Sequence, residues 1–432
     1  MTERGGSTEQ WISADKAHGW HPFTQMQDWC APGHQPLVLA AGAGALLRDS
    51  EGGEYIDGNS SIWTNLHGHR HPRIDAAIRA QLDRVAHTSF LGFTNPPAAE
   101  LAAELVGLWP VDTLTRVFFS DDGSTAIEVA LKMAIQYFQL CGAPERTGFV
   151  AFAKAYHGDT MGASSLGGIN AFHGRFSSWQ FPARHVADMG ELAALEDPKQ
   201  IAAVLIEPLV QGAAGIRLWP RGMLAELRGW CDAHGVLLVC DEVMTGFGRT
   251  GTMFACEQEG VIPDFIALAK GLTGGYLPLA ATLTTERVFG AFLGGPERTL
   301  YYGHSYTGNQ LGCAAALANL SIFREERVLE VLGEKIAQLK RELESVRELR
   351  WVKEVRQCGF IAGIELQDAD GRPFAPERSM GARVCGLARK AGLLTRPIGD
   401  VLVLMPPYCI SAEQLSAAVG ALRWAIGAAA VV

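Results

Sequence analysis

Short apolar runs rich in β-branched and aromatic residues alternate with segments of helical periodicity along most of the chain, and this alternation restricts the fold more than any other feature. The clearest runs are residues 115–120, 148–152, 201–206, 235–240 and 265–269. Because they are apolar almost throughout, they are typical of strands buried on both faces of a parallel or mixed sheet. The sequence therefore predicts an α/β fold.

The 432 residues of the chain favour two domains rather than one. Residues 325–349 carry leucine, isoleucine and valine at alternating spacings of three and four, which predicts one long amphipathic helix, with a coiled-coil seam as the alternative. Strand-like runs at 360–366 and 401–405 follow it and indicate a smaller C-terminal domain.

The domain boundaries follow from these changes in pattern. Residues 1–18 are polar, contain a Gly-Gly pair and are predicted to form a flexible tail. We expect three further parts, which are an N-terminal segment that contributes to the small domain (19–65), a large domain (66–325) and the C-terminal small domain (326–432).

Composition limits the class of partner. The net charge is -9 and no block of lysine or arginine interrupts it, so neither a nucleic acid nor an anionic membrane is expected as a partner, and a small molecule is. Nine scattered cysteines without a C-x-x-C pair indicate reduced thiols in a cytoplasmic protein. No segment reaches the roughly 20 apolar residues of a membrane helix, and no apolar signal core is present.

Lys270 is the most unusual residue, because it ends the apolar run 265–269 and is followed by several glycines. A buried ammonium needs a partner, a shifted pKa or a covalent bond. Asp241 ends a neighbouring run 29 positions earlier, so the two side chains are expected about 5 to 10 Å apart on nearby strands. Lys154 also follows an apolar run, but it lacks the glycines and ranks second.

Pyridoxal phosphate would bridge such a pair. Lys270 would bind the aldehyde of the cofactor covalently, and Asp241 would keep the nitrogen of its ring protonated. Gly123 and Ser124 lie at the predicted start of a helix, which suits a phosphate, although an ordinary N-cap explains them as well. Tyr156 would stack on the ring or be a half-buried edge tyrosine.

Two other groups of polar residues remain ambiguous from the sequence. Glu207 follows the run 201–206, where it could serve the site, cap a helix or pair with an arginine. His67, His69 and His71 resemble a metal cluster, but no acidic or cysteine ligand lies at matching spacing. We expect no metal and interpret them as a polar loop before a helix.

Seven motifs then meet a known pattern in order, and from about residue 20 to residue 424 the chain resembles the class III aminotransferases, pyridoxal-phosphate enzymes of fold type I. The motifs are Gly123-Ser124, Tyr156-His-Gly158, Glu207-Pro208, Asp241-Glu-Val243, Gly246-Phe-Gly-Arg-Thr-Gly251, Lys270-Gly271 and Gly308-Asn309. The resemblance implies a large domain with a mainly parallel seven-stranded sheet, a smaller α+β domain, and a homodimer with its active sites at the subunit interface.

The resemblance also implies roles for individual residues. The catalytic residues would be Lys270, Asp241 and Tyr156. The cofactor would be bound by Gly123, Ser124, Tyr156, Glu207, Asp241, Val243, Lys270, His304 and Ser305, of which the last two, together with Gly303, would come from the partner subunit.

Within the class, residues 20–26, 60–68 and 392–401 resemble the branch that aminates 8-amino-7-oxononanoate to 7,8-diaminononanoate in biotin synthesis. Arg396 would then hold the carboxylate of the oxo acid, for which a guanidinium fork is well shaped. The substrate site implied by this branch consists of Phe23, Ile62, Trp63, Tyr156, Asp159, Arg249, Lys270, Gly303 and Arg396.

Some positions of the chain differ from the members of that branch that use S-adenosylmethionine, and these positions bear on the amino donor. Members that use S-adenosylmethionine carry a tyrosine at the position of Phe23, a tryptophan at Ile62, and Gly-Pro-Thr before the Gly-Asn motif, where this chain has Gly-His-Ser-Tyr-Thr. The departures favour L-lysine as donor over S-adenosylmethionine. Another class III activity, such as an ω-amino acid:pyruvate aminotransferase or an aminomutase, and a non-catalytic cofactor-binding protein are the competing interpretations.

Overall fold

A computed structural model of the chain describes residues 6–430. Within them the helical segments are α1 Thr8–His18, α2 Met26–Cys30, α3 Ser60–Trp63, α4 Pro72–Leu82, α5 Pro96–Val106, α6 Gly123–Leu140, α7 Met161–Ser165, α8 Asn170–His173, α9 Met189–Ala193, α10 Met223–His234, α11 Glu286–Ala291, α12 Gln310–Glu325, α13 Val328–Arg347, α14 Met380–Lys390 and α15 Ala412–Ala430. The strands are β1 Leu39–Ala43, β2 Leu46–Asp49, β3 Glu54–Asp57, β4 Leu114–Ser120, β5 Gly148–Phe152, β6 Arg184–Val186, β7 Ile201–Ile206, β8 Val210–Gln211, β9 Arg217–Leu218, β10 Leu237–Asp241, β11 Phe265–Leu268, β12 Ala280–Thr285, β13 Val352–Cys358, β14 Ile361–Leu366, β15 Leu393–Leu394, β16 Pro397–Ile398 and β17 Val401–Leu404.

A seven-stranded sheet forms the centre of the larger part of the molecule, in the order β4-β12-β11-β10-β7-β5-β6. Only β12 runs against its neighbours β4 and β11, and the other pairs are parallel. The predicted α/β fold with a mainly parallel seven-stranded sheet is confirmed. All five apolar runs that the sequence predicts as strands belong to this sheet.

Helices cover both faces of the sheet, which explains why its strands are apolar almost throughout. Along β10, Leu238 and Cys240 pack into one hydrophobic core, whereas Leu237 and Val239 pack into a second core on the opposite face. Every residue of β7 is buried as well. Since successive side chains of a strand point to opposite faces, the inner strands β7 and β10 need apolar residues at successive positions.

The C-terminal part contains an antiparallel sheet of order β13-β14-β17-β16. A further sheet joins the two ends of the chain, because β3 pairs in parallel with β15, with Ile56 opposite Leu393 and Asp57 opposite Leu394. Helix α13 confirms the long amphipathic helix, and its buried residues Leu339 and Leu343 pack within this chain. The domain boundaries themselves stay predictions.

The flexible tail predicted over residues 1–18 is wrong for its last eleven residues, which form α1. A capping box starts this helix, since the backbone N–H of Gln10 donates to Ser7 Oγ (3.3 Å) and that of Ser7 donates to Gln10 Oε1 (2.9 Å). Such reciprocal bonds satisfy N–H groups that are otherwise free at a helix start. Residues 1–5 lie outside the described part of the chain.

No helix within residues 6–430 has the length and apolar character needed to cross a membrane.

Candidate active site

The carboxyl ends of β4, β5, β7, β10 and β11 meet at one edge of the central sheet, where they surround a cavity of about 480 Å³. Ligands of open α/β sheets bind at this edge. Eight of the residues predicted for the site line the cavity, namely Trp63, Gly123, Ser124, Tyr156, Glu207, Asp241, Val243 and Lys270.

Lys270 lies two residues beyond the end of β11 and begins a short 3-10 turn with φ +41°. Burial lowers the pKa of its amine, an effect that the carboxylates of Asp241 and Glu207 partly offset. The glycines nearby are explained by close packing, because a Cβ on Gly271 would lie 3.0 Å from Leu66 Cδ1. The surroundings therefore favour the neutral amine, which is the nucleophilic form.

Asp241 ends β10, the strand next to β11, so the predicted proximity of its side chain to Lys270 has a basis in the parallel pairing of the two strands. Its Oδ2 accepts a hydrogen bond from His157 Nδ1 at 2.7 Å, and its Oδ1 accepts one from the backbone N–H of Val243 at 3.1 Å. Burial alone would lower the pKa of His157, but the bond to Asp241 raises that pKa above its ordinary value. The hydrogen bond therefore holds the buried Asp241 carboxylate in one orientation towards the cavity.

His157 belongs to the motif Tyr156-His-Gly158, but the sequence predicts no role for this residue. The only available signal was its position directly after Tyr156, at the end of a predicted strand. The pairing with Asp241 joins residues 84 positions apart and depends on the order of β5, β7 and β10 in the sheet.

Glu207 follows β7 and is buried. Its Oε1 accepts a hydrogen bond from the backbone N–H of Tyr156 (3.2 Å) and its Oε2 one from Gly212 (2.8 Å). Burial raises the pKa of this carboxyl to about 7. Glu207 therefore ties the Tyr156 segment to the neighbouring strand end, in addition to lining the cavity.

The first turn of α6, together with the closely packed Gly123 and Gly158, lines one corner of the cavity. Asp122 caps α6, and the Cβ of any larger residue at position 123 would lie 2.7 Å from Val243 Cγ1. Gly158 has φ +121°, and a Cβ there would lie 2.1 Å from Ser124 Oγ. Because free N–H groups and the positive end of the helix dipole converge here, this corner suits a phosphate.

One wall of the cavity is aromatic and hydrogen bonded. The hydroxyl of Tyr156 donates to Asp159 Oδ2 at 2.6 Å, and Asp159 Oδ1 lies 3.1 Å from His173 Nε2. Burial, followed by this hydrogen bond, raises the pKa of Tyr156. Phe23 does not line the cavity; its ring meets Phe172 edge-on at 5.3 Å, and Phe172 in turn meets Tyr156 at 6.1 Å.

Arg249 and Arg396, both predicted for the substrate site, do not line the cavity in this chain. Arg249 is buried, and its Nη1 and Nη2 donate to the carbonyls of Pro406 and Asn65, each at 2.9 Å. This arginine therefore joins the loop after β10 to the segment that carries Trp63. Arg396 is exposed between β15 and β16. Their contacts with substrate stay predictions.

The segment of Gly303, His304 and Ser305 also lies outside the lining of the cavity of its own chain. Gly303 and Ser305 are exposed, and His304 Nδ1 lies 3.2 Å from Asp121 Oδ2. Ile62 precedes Trp63 and is 44% exposed. The roles of the 303–305 segment and of Ile62 in binding cofactor and substrate stay predictions.

The histidines of the 67–71 segment have separate structural partners. His67 Nε2 bonds to Asn319 Oδ1 at 2.8 Å, and His69 Nε2 to Asp57 Oδ2 at 3.0 Å. Burial lowers the pKa of His67 to about 4, so it is neutral at physiological pH. Among residues 6–430 no group of three or more histidine, cysteine or carboxylate side chains is arranged for a metal ion.

Comparison with known proteins gives matches over nearly the whole chain. The model of the family "Aminotransferase class-III" matches residues 30–426. A protein of Nitratidesulfovibrio vulgaris strain Hildenborough, named adenosylmethionine-8-amino-7-oxononanoate aminotransferase, is 51% identical over 441 residues, which cover 96% of this chain and 81% of that protein.

Solved structures match equally well. The crystal structure of a protein of the same name from Methanocaldococcus jannaschii has a TM-score of 0.95 at 40% identity and covers 98% of this chain and 99% of its own. An amine transaminase from an uncultivated Pseudomonas species, in its PLP-bound form, has a TM-score of 0.89 at 35% identity and covers 95% and 98%.

Proposed function

The chain belongs to the class III aminotransferases, and from this premise we propose that it transfers an amino group to 8-amino-7-oxononanoate, with pyridoxal phosphate as cofactor and L-lysine as amino donor. The observation that carries the proposal is the convergence of Lys270, the Asp241–His157 pair and the first turn of α6 on one cavity. The product would be 7,8-diaminononanoate.

The residues present fit pyridoxal phosphate. Gly123 and Gly158 leave space at the start of α6 that a Cβ would fill, so backbone N–H groups and Ser124 are available to the phosphate. Asp241 offers an anion for the ring nitrogen, and Lys270 offers an amine for the aldehyde. When bound, the cofactor supplies an electron sink that makes a proton on the carbon bearing the substrate amine acidic.

The side chains of this protein would supply positioning and proton transfer. The lowered pKa of Lys270 lets its amine accept a proton from the substrate carbon and return it, as general base and then general acid. His157 holds the Asp241 carboxylate in one orientation, and Glu207 holds the Tyr156 segment. Tyr156 and Trp63 would confine the substrate between aromatic surfaces and exclude water.

The names of the relatives support the acceptor, since proteins 51% and 45% identical to this chain are named as 8-amino-7-oxononanoate aminotransferases. Exposed Arg396 carries a planar guanidinium that suits the carboxylate at the far end of such an acceptor. The competing function is that of an amine transaminase with another acceptor. The similarity to the Pseudomonas enzyme is the observation that supports this alternative.

The donor is the part of the proposal with two candidates. Phe23 lacks a hydroxyl and Ile62 lacks an indole at positions where S-adenosylmethionine-using members carry both, which supports L-lysine. The relatives, however, are named for adenosylmethionine, and this supports S-adenosylmethionine.

Single-turnover spectra of the cofactor-loaded protein separate the donors. L-lysine alone should convert the cofactor to its amine form within seconds to minutes, and S-adenosylmethionine should do so much more slowly. Rapid conversion by S-adenosylmethionine only would overturn the choice of donor. The amine form is then offered 8-amino-7-oxononanoate or pyruvate, and preference for pyruvate would refute the proposed acceptor.

A further inference from the structure

The segment that carries Trp63 into the cavity has an unusual backbone. Four successive residues that are not glycine adopt positive φ, namely Ser60 (+45°), Ser61 (+49°), Ile62 (+67°) and Trp63 (+67°). Together they form one turn of left-handed helix, which we call the left-handed turn. L-amino acids avoid this conformation because Cβ crowds the following carbonyl, and β-branched residues such as isoleucine avoid it most.

The left-handed turn is restrained by one buried carboxylate. Asp57, the last residue of β3, is 2% exposed, and its Oδ1 accepts a hydrogen bond from the backbone N–H of Ser61 at 3.0 Å. Its Oδ2 accepts a second bond from Ser61 Oγ at 2.9 Å and lies 3.0 Å from His69 Nε2. Both oxygens are thus engaged, and two of the three partners belong to the strained turn.

The turn places its last residue against the reactive amine. The Trp63 ring lies 4.8 Å from Lys270 Nζ, and Trp63 Nε1 donates to Asn59 Oδ1 at 2.7 Å. If Ser61 relaxed to negative φ, the chain would leave the turn before Ile62 and Trp63, and both side chains would be redirected. A strained backbone that persists at a site requires restraints of this kind from its surroundings.

The backbone of Asp57 also pairs with the segment that leads to Arg396. Asp57 is opposite Leu394 in the parallel pairing of β3 with β15, and the N–H of Gly58 donates to the Leu394 carbonyl at 2.8 Å. Parallel strands end at the same edge, so one chain continues into the left-handed turn and the other into Arg396. The left-handed turn and the Arg396 segment therefore leave the same pair of strands, and only the turn is bonded to the Asp57 carboxylate.

We propose that Asp57 is a positioning residue for substrate recognition, which fixes the left-handed turn Ser60–Trp63 against Lys270 without contacting cofactor or substrate. The inference rests on the aminotransferase activity and on a substrate bound beside Trp63, as in the proposed function. It predicts that weakening Asp57 impairs substrate binding more than cofactor binding.

Asp57→Asn tests this, because it keeps the size of the side chain but removes its charge and part of its acceptor capacity. Asp49→Asn is the matched control, since Asp49 ends β2 in the same sheet, is also buried, and accepts three bonds, from the N–H groups of Glu51 and Gly53 and the hydroxyl of Tyr55. Both variants are assayed as cofactor-loaded full-length protein.

For Asp57→Asn we expect KM for the acceptor to rise roughly tenfold while kcat falls by no more than roughly threefold. The affinity for pyridoxal phosphate, measured by titration of its visible absorbance, should stay within about twofold of the wild type, because no cofactor contact changes. Asp49→Asn should leave both KM and cofactor affinity unchanged even if it lowers stability.

Two further variants complete the test, and the first of them applies even if Asp57→Asn does not fold. Ser61→Ala removes one donor to Asp57 and should raise KM by about threefold. In the double variant Asp57→Asn with Ser61→Gly, glycine adopts positive φ without steric cost. The KM of this double variant should therefore be roughly threefold lower than that of Asp57→Asn. A general loss of stability would give no such recovery.

Any of three results would overturn the inference. The KM of Asp57→Asn could equal that of the wild type, Asp49→Asn could show the same increase in KM, or the double variant could have a KM no lower than that of Asp57→Asn. All variants are measured with whichever donor and acceptor the wild type turns over. Failure of the proposed substrate would therefore show first in the wild-type protein and would leave the test of Asp57 intact.

Discussion

At the scale of single residues, the site depends on ionisable groups whose pKa values are shifted by burial. Lys270 has a lowered pKa, whereas Glu207 and Glu242 each have a pKa raised to about 7. Lys270 and Glu207 line the cavity, but Glu242 faces the loop behind it, where its Oε1 accepts the N–H of Cys256 at 2.8 Å. Burial thus adjusts the reactivity of Lys270 in the cavity, whereas the buried Glu242 supports the structure of the loop behind it.

Lys270→Ala should abolish the visible absorbance of covalently bound cofactor and reduce turnover by at least about 10³-fold, because it removes both the nucleophile and the proton carrier. Lys154→Ala is the control, since Lys154 also follows a strand but is exposed. Absorbance spectra and steady-state turnover are measured for both. If Lys154→Ala lost the absorbance and Lys270→Ala kept it, the assignment of the lysine would be wrong.

Glu242 makes a prediction about pH and stability. Its pKa is raised by burial, so the folded protein keeps this proton to about pH 7, whereas the unfolded chain releases it near pH 4.5. Between these values the unfolded state binds fewer protons, and stability falls as pH rises, by up to about 3 kcal/mol from this group.

Glu242→Gln should therefore lose less stability than the wild type between pH 5 and pH 8. The free energy of unfolding of the cofactor-free protein is measured by urea titration at several pH values across this range. Equal losses in the two proteins would show that Glu242 is already ionised in the folded state at pH 5.

At the scale of elements, the cavity is built where α6, the segment after β5 and the segment after β10 approach each other most closely. Gly158→Ala should both strain the backbone at φ +121° and place a methyl group 2.1 Å from Ser124 Oγ. We expect a loss of stability of at least about 2 kcal/mol and a cofactor affinity at least about tenfold weaker.

Gly142→Ala separates the two effects, because Gly142 also has positive φ (+82°), follows the other end of α6, and has no atom within 4 Å of the added Cβ. It should lose stability through backbone strain alone and bind pyridoxal phosphate as the wild type does. Thermal unfolding and absorbance titration measure the two quantities. Equal cofactor affinities in the two variants would place Gly158 outside the phosphate corner.

Most strands of the central sheet could be predicted because burial on both faces leaves an unbroken apolar run. β12 was not predicted, since threonine and alanine dominate it, and its burial depends on a place between β4 and β11 that the sequence does not reveal. β6 has only three residues, two of them exposed. Short or mixed strands of this kind acquire their structure from neighbours.

The candidate site divides in the same way. Lys270 and Asp241 could be predicted because each interrupts an apolar run with a charge, which is a local signal. The His157–Asp241 pair and the bonds from Asp57 to the left-handed turn could not, because histidine pairing and positive φ have no local pattern in residues other than glycine. Such features follow from tertiary contacts.

At the scale of the whole molecule, the cavity of a single chain lacks several residues implied by the family resemblance. Ser305 is exposed and lies outside its own cavity, although the resemblance assigns its hydroxyl to the phosphate of the cofactor in the partner subunit. On this assignment each active site combines Lys270 of one chain with Ser305 of the other, so substitutions of the two residues can be placed in different subunits.

Mixing two inactive variants tests that arrangement. Lys270→Ala lacks the nucleophile, and Ser305→Glu would place a carboxylate against the phosphate, where like charges repel. Neither homodimer should be active. After the subunits are exchanged at equal amounts, half of the dimers pair one chain of each kind, and each of these has one intact site, so activity should return to roughly one quarter of the wild type. Sites made entirely within one chain would give no recovery at any ratio, because each chain would then keep its own defect.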